Sequence, residues 1–434
     1  MSTNVGSPGM VAEREESKLK MFMRSFGPGL LWAGSAIGVS HLVQSTRAGA
    51  DAGFALAGVI VFALILKYPF FEYGPRYAAA TGESLVEGYQ RVGRWAVWLY
   101  FAIVLSTVVI THSAIILFTA SLFLFAFGSE MSVVLASAIL FAFCALLLYI
   151  GHFKALDLAI KVVLVLLALS TLIAAAVVLP RADLSTVSFI PLPQAGVSLA
   201  FMLALAGWMP SDIAISVYSS LWTLAKDKTS GVRASVSTAR LDFMIAYGAT
   251  AVLAFAFLTL GATVMFNSGE TFSSAGSVFS TQLIDMYVQT LGGWTKPIII
   301  VAALAAMFST TLTVMDGYPR VIDRVIKVIK EKNPVVTANA PVSKPYWIAM
   351  TIIGILTIVV LSLFVGGMTQ MVDFVTIVAF LTGPILGFLN LKVVTSPHVP
   401  AEHRPGPAML IYSYIGLATM GAVAVIFLVS RFGG

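Results

Sequence analysis

Charged side chains are scarce in this sequence. Only 11% of its 434 residues are charged and 59% are hydrophobic, whereas soluble domains carry about 25% charged residues. The composition therefore excludes a soluble enzyme and predicts an integral membrane protein built from many helices.

Cysteine and catalytic motifs are also scarce. The one cysteine, Cys144, lies in an apolar run, so no disulfide can form within the chain. The first 20 residues are polar and contain no short apolar core, so we expect no cleavable signal peptide. The sequence has no Walker loop, metalloprotease motif or nucleophile elbow. We therefore expect neither an enzyme nor a bound cofactor, and any transport would be driven by a coupling ion, H⁺ or Na⁺, rather than by ATP.

Long apolar stretches, by contrast, fill most of the chain. A stretch of about 20 residues is long enough to cross a bilayer. Eleven stretches can be counted, named spans 1 to 11 here: 26–50, 54–79, 95–127, 131–150, 156–180, 196–224, 241–267, 295–318, 345–366, 370–394 and 408–431. We expect a cytoplasmic tail at 1–25, a ten-span transporter core at 26–394, and a loop with span 11 at 395–434.

Lys and Arg are concentrated in every second loop. They precede span 1 and follow spans 2, 4, 6, 8 and 10, and the alternate loops contain almost none. The positive-inside rule then predicts a multi-pass cell-membrane protein with its N-terminus in the cytoplasm and its C-terminus outside. These loops account for the net charge of +6, so nucleic acid is not expected as a partner. The expected partners are the lipid bilayer and a small-molecule or ion substrate, with no obligate protein partner.

Spans 1 and 6 are interrupted by polar residues and helix breakers. These are Ser35, Gly38, Ser40 and His41 in span 1, and Gly207, Pro210, Ser211 and Asp212 in span 6. Backbone can leave the helix at bilayer depth only where it lines an enclosed cavity. The breaks are five spans apart, and this odd offset makes repeat 1 (about 26–180) and repeat 2 (about 196–394) run in opposite senses. The pattern predicts a 5+5 inverted repeat with a binding site at the two breaks.

Several short motifs resemble one transporter family. They are Gly27-Pro28 at the start of span 1, the segment 48–54 at its end, the segment 80–87 after span 2, and Met209-Pro210 in span 6. In order and spacing they resemble the Nramp (natural resistance-associated macrophage protein) family of divalent-metal transporters. The resemblance implies an all-α LeuT-type fold with 11 transmembrane helices, of which the first and sixth are broken at mid-membrane. It also implies alternating access, in which spans 1, 2, 6 and 7 rock against spans 3, 4, 8 and 9.

The sequence departs from the family where the family binds its metal. The family's Asp-Pro-Gly-Asn in span 1 is Gly-Val-Ser-His here (38–41), so the metal-binding carboxylate is absent. The family's His in span 6 is replaced by Ser211, which is followed by Asp212. Met209, a soft metal ligand in the family, is retained. Ala206 fits the position whose carbonyl contributes to the family's metal site.

Two substrate classes stay open for this site. The expected substrate-binding residues are Gly38, Ser40, His41, Ala206, Trp208, Met209, Ser211 and Asp212. Because the carboxylate is missing at position 38, we expect a small organic solute held by hydroxyls and by the flat faces of Trp208 and Trp32. The alternative is a divalent cation of the Mn or Mg type, held by His41, Met209 and Asp212.

A non-transporting membrane receptor or scaffold that kept this fold is the alternative functional class. An acidic side chain in mid-membrane is costly and is usually functional. A scaffold has no reason to keep Asp212 there, so we expect a transporter.

Proton coupling is expected through His112, His41 and Asp212. His112 occupies the position of an acid that serves proton transfer in the family, and an imidazole titrates near neutral pH. Sodium is the alternative coupling ion, and by analogy with LeuT-type folds it would sit at Ser309 and Thr310. A purely structural interpretation also exists for each: a histidine can cap a broken helix or bond a neighbour, and hydroxyls can bond back to their own helix.

Span 2 carries three charged residues at helical spacing. We expect Lys67, Glu72 and Arg76 to form a buried network. Of the three, only Lys67 is far from a helix end.

Overall fold

The chain is helical almost throughout the part that the computed structural model describes, residues 27–151, 154–190, 197–330, 343–364 and 367–432. Fifteen α-helices follow one another in these ranges. They are α1 (Pro28–Ala36), α2 (Thr46–Ala52), α3 (Ala57–Thr81), α4 (Leu85–Val92), α5 (Arg94–Phe127), α6 (Val133–Ile150), α7 (Lys154–Val178), α8 (Leu199–Trp208), α9 (Ile215–Ser230), α10 (Val236–Leu260), α11 (Gly276–Leu291), α12 (Lys296–Lys330), α13 (Lys344–Leu363), α14 (Met368–Val394) and α15 (Pro407–Phe432).

Nine helices within those ranges are long and apolar enough to cross a membrane. They correspond to spans 2–5 and 7–11. Spans 1 and 6 are each divided into two shorter helices, α1 with α2 and α8 with α9. The prediction of an all-α membrane protein with two broken helices is therefore confirmed. The total of eleven crossings and the division into domains stay predictions, and the tail at 1–25 lies outside the described residues.

The helix contacts separate two groups. In the first, α10 packs on α1 and α3, and α9 packs on α3. In the second, α5 packs on α6, α12 and α13, and α12 packs on α13. These groups contain the spans that the resemblance divides into a moving bundle and a scaffold.

The start of span 1 is tied to span 7 by one carboxylate. Pro28 lies in the first turn of α1. A backbone N–H at this position has no partner within the helix, so proline costs the helix no hydrogen bond there. Asp242 of α10 accepts a hydrogen bond from the Gly29 N–H at 2.7 Å and one from the Gly27 N–H at 3.3 Å. A residue of another helix therefore caps α1, and this bond fixes α1 against α10.

Span 6 approaches α14 so closely that only glycine fits at the contact. A Cβ atom on Gly207 would lie 1.8 Å from the carbonyl oxygen of Thr376. The second half of span 1 crosses the end of span 7 in the same way, since a Cβ on Gly49 would lie 2.2 Å from the Leu258 carbonyl oxygen. Backbone contact at these two crossings holds the broken helices in place.

Two helices were not predicted from the sequence. The segment 80–87 was read as a family motif, but Ser84 and Glu87 form a capping box that starts α4. The segment between spans 7 and 8, where no span is counted, contains α11, which buries Phe279, Leu283 and Tyr287 against its neighbours. α11 is too short to be counted by a rule that looks for membrane-spanning length.

We predict that Gly207→Ala destabilises the protein, because the added methyl group meets backbone that cannot move aside. Overpacking of this kind costs about 1–3 kcal/mol, so the melting temperature of the purified protein should fall by several degrees. Gly248→Ala is the matched control, since Gly248 lies inside α10 with no atom within 4 Å of its Cβ position. Equal melting temperatures for the two variants would contradict the close approach of α8 to α14.

Candidate functional site

Span 1 breaks at Ile37 and Gly38. α1 ends at Ala36, and Ile37 leaves the helical conformation with φ −79° and ψ 70°. The chain resumes as a wide turn of π-helix from Ser40 to Ser45 and then as α2. A Cβ on Gly38 would lie 2.7 Å from Oγ1 of Thr310, so the missing side chain admits α12 to the break.

His41 points away from the gap between the two breaks. Its Nε2 lies 3.0 Å from the Thr250 carbonyl oxygen on α10, and its Nδ1 lies 2.7 Å from the hydroxyl of Ser40 and 3.0 Å from the Ala36 carbonyl oxygen. The two ring nitrogens thus face carbonyl oxygens on both sides, Thr250 on α10 and Ala36 at the end of α1, and the Ser40 hydroxyl donates to the same Ala36 carbonyl oxygen. The side chain is fully buried in this position, where it caps the broken end of α1.

Span 6 breaks between Trp208 and Ile215. Proline at 210 has no N–H, so the carbonyl of Ala206 loses the donor that a continuous helix would supply. Asp212 lies in the non-helical stretch, and its Oδ1 accepts a hydrogen bond from the N–H of Ala214 at 3.0 Å. The carboxylate thus holds the turn that leads into α9.

A cavity lies between the two breaks. Its walls come from α1, the break of span 1, α5, span 6 and α12. Of the predicted site residues, those on the wall are Ser40, Trp208, Ser211, Asp212 and Thr310.

Aromatic rings that the sequence analysis did not single out make up much of the wall. Tyr218, Trp222 and Tyr318 line the cavity together with Trp208. The ring centroids of Tyr218 and Tyr318 are 5.8 Å apart in an edge-on arrangement. Within the described residues, the buried hydroxyl of Tyr218 has no hydrogen-bond partner. Helical spacing from Trp208 does not reveal Tyr218 and Trp222, because the break changes the helical phase, and Tyr318 lies on a different helix, α12.

The other predicted residues do not line the cavity. Met209 is fully buried. His112 lies behind the wall, where Nδ1 donates to the Val108 carbonyl oxygen at 2.9 Å and the ring packs 5.3 Å from that of Tyr318. Ser309 is not on the wall, whereas its neighbour Thr310 is, and the Thr310 hydroxyl donates to the Ala306 carbonyl oxygen at 3.0 Å.

The metal ligands considered from the sequence are not brought together. His41 bonds to α10, Met209 is buried behind the wall, and Asp212 lines the cavity. Across the described ranges, no group of three or more His, Cys, Asp or Glu residues is placed to hold a metal ion.

Lys67 reaches the break of span 6 from α3. Its Nζ donates to the carbonyl oxygens of Ala206, Gly207, Met209 and Ser211 at 3.1, 2.8, 3.1 and 2.5 Å. The expected network of Lys67, Glu72 and Arg76 therefore does not form as one unit. Glu72 and Arg76 pair with each other, while Lys67 joins span 6.

The lining of the cavity extends toward one end of the bundle. Trp222 and Ser35 line it toward the end where Gly27 and Lys226 lie near each other. On the opposite side of the breaks a polar network joins span 1 to α14. Its bonds run from Arg47 to Asp373 at 2.8 Å, from Gln44 to Asp373 at 3.1 Å, and from Gln44 to Thr376 at 3.2 Å.

We predict that this network closes one face of the protein. Cys144 is buried, so introduced cysteines can be labelled selectively. Thr313→Cys on the cavity wall should react quickly with a small thiol reagent, whereas Thr376→Cys should react at least about tenfold more slowly, because Thr376 is buried beneath the Arg47–Asp373 pair. Adding Arg47→Gln should speed the reaction at position 376, measured by mass spectrometry. Equal rates at 313 and 376 would show that both faces are open.

Comparisons with known proteins agree with this architecture. The family described as Natural resistance-associated macrophage protein-like, Nramp, matches residues 29–430. An uncharacterized protein of Pasteurella multocida (strain Pm70) is 32% identical over 425 residues, which is 96% of this chain and 95% of that protein.

Solved structures show the same fold at low sequence identity. A mutant of the Eremococcus coleocola manganese transporter is 14% identical with a TM-score of 0.69, and the match covers 98% of this chain and 90% of that one. MhsT in complex with L-phenylalanine is also 14% identical, with a TM-score of 0.61 over 96% of this chain and 99% of that one. Mhp1, a nucleobase–cation symporter with a bound hydantoin, is 12% identical with a TM-score of 0.56 over 94% of this chain and 93% of that one. The expected LeuT-type fold is confirmed.

Proposed function

This chain belongs to the Nramp family of multi-pass membrane transporters, and from its site we propose that it carries a small organic solute by proton-coupled secondary transport. The observation that carries this proposal is the composition of the cavity wall. Four aromatic rings and several hydroxyls surround a single carboxylate, Asp212. Aromatic surface with a few placed polar groups is typical of pockets for small organic ligands.

The polar groups of the wall suggest how such a solute would be oriented. The free hydroxyl of Tyr218 can donate to an oxygen or nitrogen of the solute. Ser211 and Thr313 add further hydroxyls. Asp212 accepts a backbone bond from Ala214 and also lines the cavity, where its carboxylate can accept from a donor on the solute.

Alternating access would move this solute. The positive-inside rule places the end with Gly27 and Lys226 in the cytoplasm of a cell membrane, so the cavity would face inward in this conformation. Rocking of spans 1, 2, 6 and 7 would open the Arg47–Asp373 side and close the side lined by Trp222. The ion pair would then break and re-form in each cycle.

A divalent metal is the second candidate substrate. Its support is the family itself and the similarity to a manganese transporter. To bind it, His41, Met209 and Asp212 would have to turn toward one point, and His41 would have to leave its bond to Thr250. The cavity wall favours the organic solute because it offers one carboxylate to a dication.

We predict that a ligand screen by thermal shift yields an organic solute that stabilises the purified protein, and that Mn²⁺ does not. Trp208→Ala should weaken binding of that solute by about tenfold, because an aromatic contact contributes about 0.5–1.5 kcal/mol beyond its buried area. Trp98→Ala is the matched control, since Trp98 is half exposed and lies away from the cavity.

The same screen discriminates the alternatives. Stabilisation by Mn²⁺ that disappears in Asp212→Ala would establish the metal as the substrate. Uptake of the stabilising solute into sealed proteoliposomes separates a transporter from a receptor or scaffold, and the absence of any uptake by correctly folded protein would refute transport.

Proton coupling is proposed through His112, with His41 and Asp212 as further carriers. We predict that His112→Ala removes the stimulation of uptake by a pH gradient while solute binding is retained, because His112 lies behind the cavity wall rather than on it. His403→Ala in the loop before α15 is the control. Unchanged pH-gradient dependence in His112→Ala, together with a requirement for Na⁺ that Thr310→Ala abolishes, would favour sodium coupling instead.

A further inference from the structure

The break of span 6 exposes a cluster of backbone carbonyl groups. A helix leaves its last four carbonyls without intrahelical donors, and α8 ends at Trp208. Proline at 210 removes the donor that Ala206 would have used, and the non-helical course of the chain leaves Gly207 and Met209 without theirs. These oxygens point inward at bilayer depth, where no lipid group can satisfy them.

The Lys67 ammonium occupies the centre of this cluster. It makes four contacts of 2.5–3.1 Å to carbonyl oxygens on both sides of the break. An ammonium has only three N–H groups. The four carbonyl oxygens therefore share three donors, and they surround the ammonium as they would surround a free cation. Rings of backbone carbonyls are the sites that channels use to replace the hydration shell of monovalent cations.

Two further features hold the charge in place. Lys67 is 3% exposed, and its Nζ lies 5.6 Å from the ring of Phe71, on the face of which a cation is attracted. The carboxylate of Asp212 in the same break acts on the ammonium as its opposite charge. The break therefore contains one basic and one acidic side chain, and a second cation would have to share this carboxylate.

We propose that the Lys67 ammonium is a tethered cation, which fills a carbonyl cage at the break of span 6 that a free monovalent cation would otherwise occupy. The cage includes the carbonyl of Ala206, the position that the family resemblance connects with the metal. The transporter thus needs no free ion at this cage, and the cage is closed to a divalent metal. The exclusion of a divalent metal rests on the proposed organic substrate, whereas the replacement of a free cation by Lys67 does not.

The test is to remove the ammonium and supply a free one. Lys67→Ala and Lys67→Gln are purified and their melting temperatures are measured in about 0.1 M tetramethylammonium, methylammonium, sodium or potassium chloride. Tetramethylammonium has no N–H and is too large for the cage, so it serves as the ionic-strength control. Lys392→Ala, at the exposed end of α14, is the control for loss of a lysine.

Both variants should melt at lower temperature than the wild type in tetramethylammonium chloride. Methylammonium, sodium or potassium should then raise their melting temperatures by about 2–4 °C, because a ligand that binds only the folded state stabilises it. The wild type and Lys392→Ala should show no difference among the four salts. Lys67→Arg keeps the charge and should likewise show none.

Two results would overturn the proposal. One is a rise in the melting temperature of the wild type with sodium or methylammonium that is as large as the rise in the Lys67 variants, because the cage of the wild type would then not be filled. The other is a pair of variants that fold in none of the salts, or fold without any salt preference, because no free cation could then replace the ammonium. Neither result depends on a measurement of solute uptake. If the transported substrate proved to be a metal, the proposed function would be refuted, but the melting-temperature test of Lys67 would still be decided on its own.

Discussion

Backbone groups released inside the bilayer must find partners, and this requirement organises the structure. A continuous helix satisfies its own N–H and C=O groups, but spans 1 and 6 both stop at mid-membrane. The other helices supply what the breaks lack. Lys67 of α3 donates to the carbonyls at the end of α8, and Thr250 of α10 accepts from the histidine at the break of span 1. The site is thus held by contacts from outside the two broken helices.

Glycine residues, which have no side chain, are equally important for the position of the breaks. Gly207 lets α8 touch the backbone of α14, and Gly38 admits Thr310 of α12 to the break of span 1. In a membrane, packing rather than the hydrophobic effect drives helix association, and small residues allow it. These contacts place the two breaks on opposite walls of one cavity. They also leave the polar network of Arg47 and Asp373 on the far side, so the same packing defines both a binding space and a barrier.

Much of the architecture could be predicted because membrane helices have a strong local signal. Length and apolarity located most of the spans to within a few residues, although α12 continues to Lys330, well past the predicted end of span 8 at 318. Mid-span Pro210 and Gly38 located the breaks. The features that the sequence analysis missed were missed for physical reasons. α11 is amphipathic and too short to cross, so a search for long apolar stretches missed it. The sequence analysis missed three aromatic residues of the wall, Tyr218, Trp222 and Tyr318. Whether their rings face the cavity depends on how α9 and α12 are rotated within the bundle, and no repeating pattern in the sequence records that rotation.

The sequence by itself determined that this is a helical membrane protein, where its helices break, and that the family's metal-binding carboxylate is absent, since each of these depends on residue type along a short stretch. Only the tertiary structure decided which side chains meet at the breaks. Lys67 and Ala206 are 139 positions apart, and His41 and Thr250 are 209 apart. Such pairs form because the folded bundle places an unsatisfied group beside a buried partner, and that partner is chosen by packing rather than by spacing.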